Sequence, residues 1–120
     1  MTPEDRIKVT LVYNISSRVE AADYEEWAKK SVVPLSRAKG LIDARAYRNA
    51  LQPSQVKIVT TWRSFLDWGR FVESEVWQDI KVQLTASIAT DIDVCVWKPS
   101  PLFPELMKYD AMEKKKPRKK

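Results

Sequence analysis

Four segments of this sequence alternate apolar and polar residues with a period of two. The stretches after the first and third carry apolar residues every three or four positions, and this β-α-β-β-α-β order leaves few folds open. In the first segment, Arg6 to Asn14, Ile7, Val9, Leu11 and Tyr13 alternate with Lys8, Thr10, Val12 and Asn14, as in a strand with one strongly apolar face. Leu41 to Arg48 and Gln55 to Trp62 read as strands two and three, joined as an antiparallel hairpin by the six residues Asn49 to Ser54, which include a proline. Asp91 to Lys98 alternates Ile92, Val94 and Val96 with Asp93, Cys95 and Trp97 and reads as the last strand, with Cys95 in a buried, inert position.

The first helical stretch covers roughly Ala21 to Ala38, its apolar positions including Tyr24, Trp27, Ala28, Ser31, Val32 and Leu35. Ser16 and Ser17 offer capping hydroxyls ahead of it. Pro34 lacks an amide proton, so a kink or break is expected near Val33 and a stop at Gly40. Ser64 can cap a helix carrying Phe65, Trp68, Phe71 and Val72. Ser74 and Glu75 mark the joint to a second helical stretch with Val76, Trp77, Ile80, Leu84 and Ile88.

The expected architecture is α+β, a ferredoxin-like βαββαβ unit with a four-stranded antiparallel sheet and its helices on one face. A sheet apolar on both sides needs a cover on its second face, and a homodimer is the simplest way to supply it. With 120 residues, 44% of them hydrophobic, the chain suits one core. Residues 1–5 read as an N-terminal extension, 6–99 as the domain and 100–120 as an irregular, proline-containing basic tail.

The net charge of +5 belongs to the tail. Lys114, Lys115, Lys116, Arg118, Lys119 and Lys120 are six of the 21 basic residues, leaving 15 basic against 16 acidic residues in 1–113. Such a run is most simply a solvated segment. Any nucleic-acid contact through it would be salt-sensitive and non-specific, because it has no interleaved aromatic residues to stack on bases. No apolar run approaches the roughly 20 residues that cross a bilayer, the first residues do not have the pattern of a secretory signal, and a cytoplasmic location is the default expectation. Two glycines, one cysteine and no histidine argue against phosphate loops, nucleophile–histidine pairs and metal clusters, so no metal and no cofactor is expected.

Several pieces of the sequence resemble the antibiotic-biosynthesis-monooxygenase-like family of dimeric α+β barrels. They are the first strand ending in Asn14, Tyr24-Glu25-Glu26-Trp27, Lys39-Gly40-Leu41 leading into Tyr47-Arg48, Val56 through Ser64, and Ser74-Glu75-Val76-Trp77. The resemblance implies a pocket between sheet and helices and activities that include cofactor-independent oxygenation of quinol-like or polycyclic aromatic substrates. Haem-degrading members use an asparagine near the end of the first strand, a tryptophan in the helix after the Trp-x-Ser turn and a histidine ligand in the next helix. Asn14 matches the first, while an ungapped count from Trp62 puts Phe71 and Lys81 at the other two positions. Without an imidazole, haem is disfavoured as a partner.

The resemblance therefore makes Asn14 the candidate catalytic residue, with Trp68, Phe71, Trp62, Tyr47 and Lys81 as candidate contacts for a small aromatic or quinol-type substrate. On its own residues Asn14 reads first as a cap of the turn into Ser16, and only the resemblance brings the substrate-orienting reading level with it. Trp27 and Trp77 read as core. Tyr13 and Arg45 are further possible phenolic or cationic groups, although strand parity alone does not fix which of them face the pocket. The expected function is a cofactor-independent monooxygenase; the alternative is a non-catalytic small-molecule-binding or stress-related dimer on the same fold.

Overall fold

The computed structural model describes residues 5–100 and Leu102. Residues 1–4, 101 and 103–120 lie outside the described residues, and with them the expectations placed on the basic run of the tail.

Strand β1 (Ile7–Ile15) leads to helix α1 (Ala21–Ser36), the hairpin β2 (Leu41–Arg48) and β3 (Gln55–Trp62), then α2 (Phe65–Val72) and α3 (Glu75–Gln83). A π-helical turn, Leu84–Ile88, ends α3 and feeds β4 (Ala89–Trp97). The sheet order is β2-β3-β1-β4, with every neighbouring pair antiparallel, which is the expected ferredoxin-like arrangement. The hairpin is held by Asn49, whose side-chain oxygen accepts from the amides of Leu51 at 2.8 Å and Gln52 at 3.2 Å, an Asx-type turn that fixes the register.

Strand parity decides which residues meet the helices. Ile7, Val9, Leu11 and Tyr13 of β1 lie opposite Trp62, Thr60, Ile58 and Val56 of β3, so these eight side chains share the helix-covered face. The core on that face falls into two clusters. One gathers Tyr13, Tyr24, Val56, Leu84, Ile88 and Ala89; the other gathers Ile7, Val9 and Trp62, with Trp68, Phe71 and Leu41 packed against it.

The other face carries Lys8, Thr10, Val12 and Asn14 of β1 and Lys57, Val59 and Thr61 of β3. Lys8 Nζ donates to Thr61 Oγ1 at 3.0 Å and Trp97 Nε1 to Thr10 Oγ1 at 3.1 Å across that face. It is of mixed polarity, not apolar throughout as the sequence reading had it. Cys95 lies there only half-buried, 3.7 Å from an Asp93 carboxylate oxygen.

Ser64 and Ser74 cap α2 and α3 as expected, accepting from the amides of Asp67 and Trp77 at 3.1 and 3.4 Å. Ser16 and Ser17 do not cap α1. The helix begins after Glu20, which makes no side-chain cap bond, and the Ser16 hydroxyl is used earlier, accepting from the Arg18 amide at 3.3 Å.

Helix α1 is not broken near Val33 but runs through Pro34 to Ser36. Pro34 comes so late that the helix ends before a disrupted turn can propagate. The chain then reverses at Gly40, whose φ of +89° favours glycine. The Gly40 carbonyl accepts from the Arg63 amide at 2.9 Å, and a Cβ at position 40 would stand 2.5 Å from Asp67 Cβ. The start of β2 and the first turn of α2 are thereby held together.

Candidate functional site

Between the two core clusters the sheet and helices leave a cavity of about 170 Å³. Its floor is Val9 and Leu11 of β1 with Ile58 and Thr60 of β3. Its roof is Trp27, Ser31 and Leu35 of α1 together with Trp77, Ile80 and Leu84 of α3 and the π-helical turn. For scale, an engineered apolar cavity of about 150 Å³ takes up benzene. The space therefore suits one small aromatic ring system.

The two ends differ in chemistry. At one, Tyr13 and Tyr24 place their hydroxyls 2.7 Å apart. One of the two protons makes that bond, and no other described group accepts from either hydroxyl, so the pair has one O–H left to offer a ligand oxygen. Burial, reinforced by the hydrogen bond to Tyr24, holds the Tyr13 phenol far above the ordinary tyrosine range, while the charge of Arg48 pulls weakly the other way. Tyr13 is therefore a hydrogen-bond donor at neutral pH and not a base. The Arg48 guanidinium lies over the Tyr24 ring at 5.4 Å and donates to the Pro53 carbonyl at 2.8 Å, a cation–π contact that braces this end from outside.

At the other end Phe71 stands between Trp62 and Trp77, with ring centroids 5.1 and 6.0 Å away. Trp62, almost fully buried, donates from Nε1 to Thr60 Oγ1 at 2.8 Å, and that hydroxyl donates to the Val9 carbonyl at 3.3 Å. The Thr60 hydroxyl is thus occupied by the protein itself, as a buried indole requires of its partner. None of the lining residues is an aspartate, glutamate, lysine, arginine or histidine. The site can enclose and dehydrate an aromatic molecule and donate to one oxygen of it, but it holds no group that accepts a proton near pH 7.

Of the residues singled out in the sequence, Trp62, Trp68 and Phe71 line this cavity. Asn14, Tyr47 and Lys81 do not. Asn14 follows Tyr13 on β1, and parity turns it to the opposite face, where its amide donates to Asp91 Oδ2 at 2.9 Å and accepts from Gln52 Nε2 at 3.4 Å. The strand is irregular at this point, with a register shift between Val12 and Asn14 and a φ of +53° at Asp91.

Tyr47 is half exposed and borders a shallow groove with Val12 and Lys57 on that same far face. Arg45 pairs with Asp43 at 3.5 Å. Lys81 is exposed on α3, whose inward positions belong to Trp77 and Ile80, followed by Leu84 of the π-helical turn. The sequence reading missed Tyr24, Ser31 and Thr60. It also assigned Trp27 and Trp77 to core packing alone, whereas both line the cavity, Trp27 anchored by Nε1 donating to Gln83 Oε1 at 2.8 Å. The available signal for Tyr24 was a second buried-type tyrosine facing the first strand, since a buried phenol needs a partner.

No model of a known protein family matches the sequence, and no curated protein matches it. Solved structures do resemble it. A conserved protein from Methanosarcina mazei Go1 superposes with a TM-score of 0.72 at 12% identity, over 82% of this chain and 96% of the other. SnoaB, a cofactor-independent oxygenase from Streptomyces nogalater, gives 0.69 at 11% over 80% and 94%. A candidate antibiotic biosynthesis monooxygenase from Bacteroides thetaiotaomicron gives 0.67 at 15% over 88% and 97%. The chain has the fold of these proteins, and identities this low establish the fold alone. Among the described residues no helix is long and apolar enough to cross a membrane, and no group of acidic, cysteine or histidine side chains is arranged to hold a metal ion.

Proposed function

We propose that this chain is an antibiotic-biosynthesis-monooxygenase-like protein that oxygenates a small aromatic or quinol-type molecule without a cofactor, in the cavity between sheet and helices. The observation that carries the reading is the aromatic-lined cavity with its single spare phenolic donor at the Tyr13–Tyr24 end. In the reaction the substrate anion gives an electron to dioxygen. The pair then joins as a carbon-bound peroxide, which takes up a proton, and loss of water leaves a carbonyl, so that a ring CH₂ and O₂ become C=O and H₂O.

Exclusion of water and a hydrogen bond from the tyrosine pair to the anionic oxygen are what the protein would contribute. No lining residue takes the first proton, so the substrate must be acidic enough to deliver its anion from water. Oxygen uptake with a panel of quinols and hydroxynaphthalenes, abolished in a folded Tyr13→Phe/Tyr24→Phe double variant that has no phenolic donor left, is the expected result.

The absence of a base among the lining residues favours a second reading, a non-catalytic small-molecule binder on the same fold. Binding of the panel without any oxygen uptake would establish it over the first. Under either reading we infer a homodimer. The edge strand β4 leaves Val94, Val96 and Trp97 at 45%, 38% and 57% exposure, and apolar side chains on an open edge call for a cover. Light scattering that gives the mass of one chain at micromolar concentration would contradict this.

A further inference from the structure

A second concavity of about 450 Å³ lies between the C-terminal end of α1 and the α2–α3 joint, and Phe71 lines both it and the aromatic cavity. Arg37, Lys39 and Arg70 line it with a single acid, Asp67. None of the three cations is in an ion pair among the described residues. Arg37 is the C-terminal cap of α1 and Arg70 lies in the last turn of α2, where the helix dipole favours a cation. That accounts for the residue type at each place. It does not account for three unpaired cations converging on one concavity that shares a wall with an apolar cavity holding no charge.

We propose that the ligand of the cavity is an aromatic acid, with its ring among the aromatic side chains and its anionic group in the Arg37, Lys39 and Arg70 pocket. The inference rests on the cavity binding an aromatic molecule and adds the class of that molecule. A carboxylate, whose charge stays on its two oxygens and is not spread into the ring, would meet one phenolic donor in the cavity and no cation to offset its lost hydration. It lies beyond Phe71, in a positively charged pocket that attracts anions from solution.

The test is a calorimetric titration of the full chain with a matched pair, 2-naphthoate and neutral 2-naphthol, at two salt concentrations. Arg37→Gln/Arg70→Gln is the variant, its fold checked by circular dichroism. Exposed charge contacts are individually modest and screened by salt. The double variant is therefore expected to weaken 2-naphthoate by roughly three- to tenfold and leave 2-naphthol unchanged. In the native chain, added salt and inorganic phosphate should weaken only 2-naphthoate, a result that does not depend on the variant folding. Equal affinity for the two ligands, or 2-naphthoate binding indifferent to salt and to the variant, overturns the acid-binding pocket while leaving the cavity reading intact. Binding of neither ligand overturns both.

Discussion

Replacing Tyr13 and Tyr24 by phenylalanine, singly and together, should give a characteristic order of stabilities. The two hydroxyls are 2.7 Å apart, with Tyr13 1% and Tyr24 8% exposed. Tyr24→Phe strands the Tyr13 hydroxyl at the more buried position. It should cost about 2–3 kcal/mol, made up of the lost bond and an unsatisfied buried group. Tyr13→Phe strands the Tyr24 hydroxyl, which is less buried, and should cost about 1–2 kcal/mol. In the double variant nothing polar is left unpaired, and exchanging both partners for apolar groups of similar shape is nearly neutral. Its cost should therefore fall below that of Tyr24→Phe alone, a coupling of at least about 1 kcal/mol.

Urea unfolding followed by tryptophan fluorescence measures all four proteins on one scale. A destabilisation of 1 kcal/mol moves the urea midpoint by about 0.3–1 M at an m-value of about 1–3 kcal/mol/M, well within reach of the assay. Two single costs that add to the cost of the double variant would refute the hydrogen-bonded pair. With it would go the argument that one phenolic proton is free for a ligand.

Other expectations follow from single positions. Gly69→Ala should stabilise by about 0.5–1 kcal/mol, since the added methyl meets nothing within 4 Å and a helix interior favours alanine; a lowered Tm would contradict this. Gly40→Ala should cost at least about 2 kcal/mol, because it combines a left-handed φ with the approach of Asp67, again read by urea unfolding.

Tyr13 titrates far higher folded than unfolded, so the folded chain keeps a proton that the unfolded chain gives up. Its contribution is complete below the unfolded value near 10.0 and should be lost with a slope of about 1.4 kcal/mol per pH unit as pH rises beyond it. The slope should be absent in Tyr13→Phe. Asn14→Ala and Lys81→Ala should leave the affinity for 2-naphthol unchanged, whereas a loss in either would place the ligand outside the cavity described.

Much of the fold was legible because hydrophobic period and turn chemistry act locally. The alternation from Leu41 to Arg48 and from Gln55 to Trp62, with Asn49 between, fixes the hairpin without reference to anything distant. The lining of the cavity was legible where a large side chain had one plausible place to go, as with Trp62, Trp68 and Phe71. It was misread where a resemblance stood in for parity. Tyr13 and Asn14 are adjacent on one strand, so only one can face the helices, and the apolar set Ile7, Val9 and Leu11 commits Tyr13 to that face. The same holds from α3 into the π-helical turn, where Trp77, Ile80 and Leu84 define the inward stripe and Lys81 falls beside it. The empty space between the two core clusters had no local signature, since it arises from how far the helices stand off the sheet.

The central claim is that the aromatic cavity is a ligand site. It is tested most directly by calorimetric titration of 2-naphthol into the native chain and into Ser31→Phe, which adds a ring to the space beneath α1 and leaves both tyrosines in the sequence. Saturable binding to the native chain, lost in a Ser31→Phe protein whose circular dichroism is unchanged, is the result expected. Equal binding to both proteins, or none to the native chain, would contradict it.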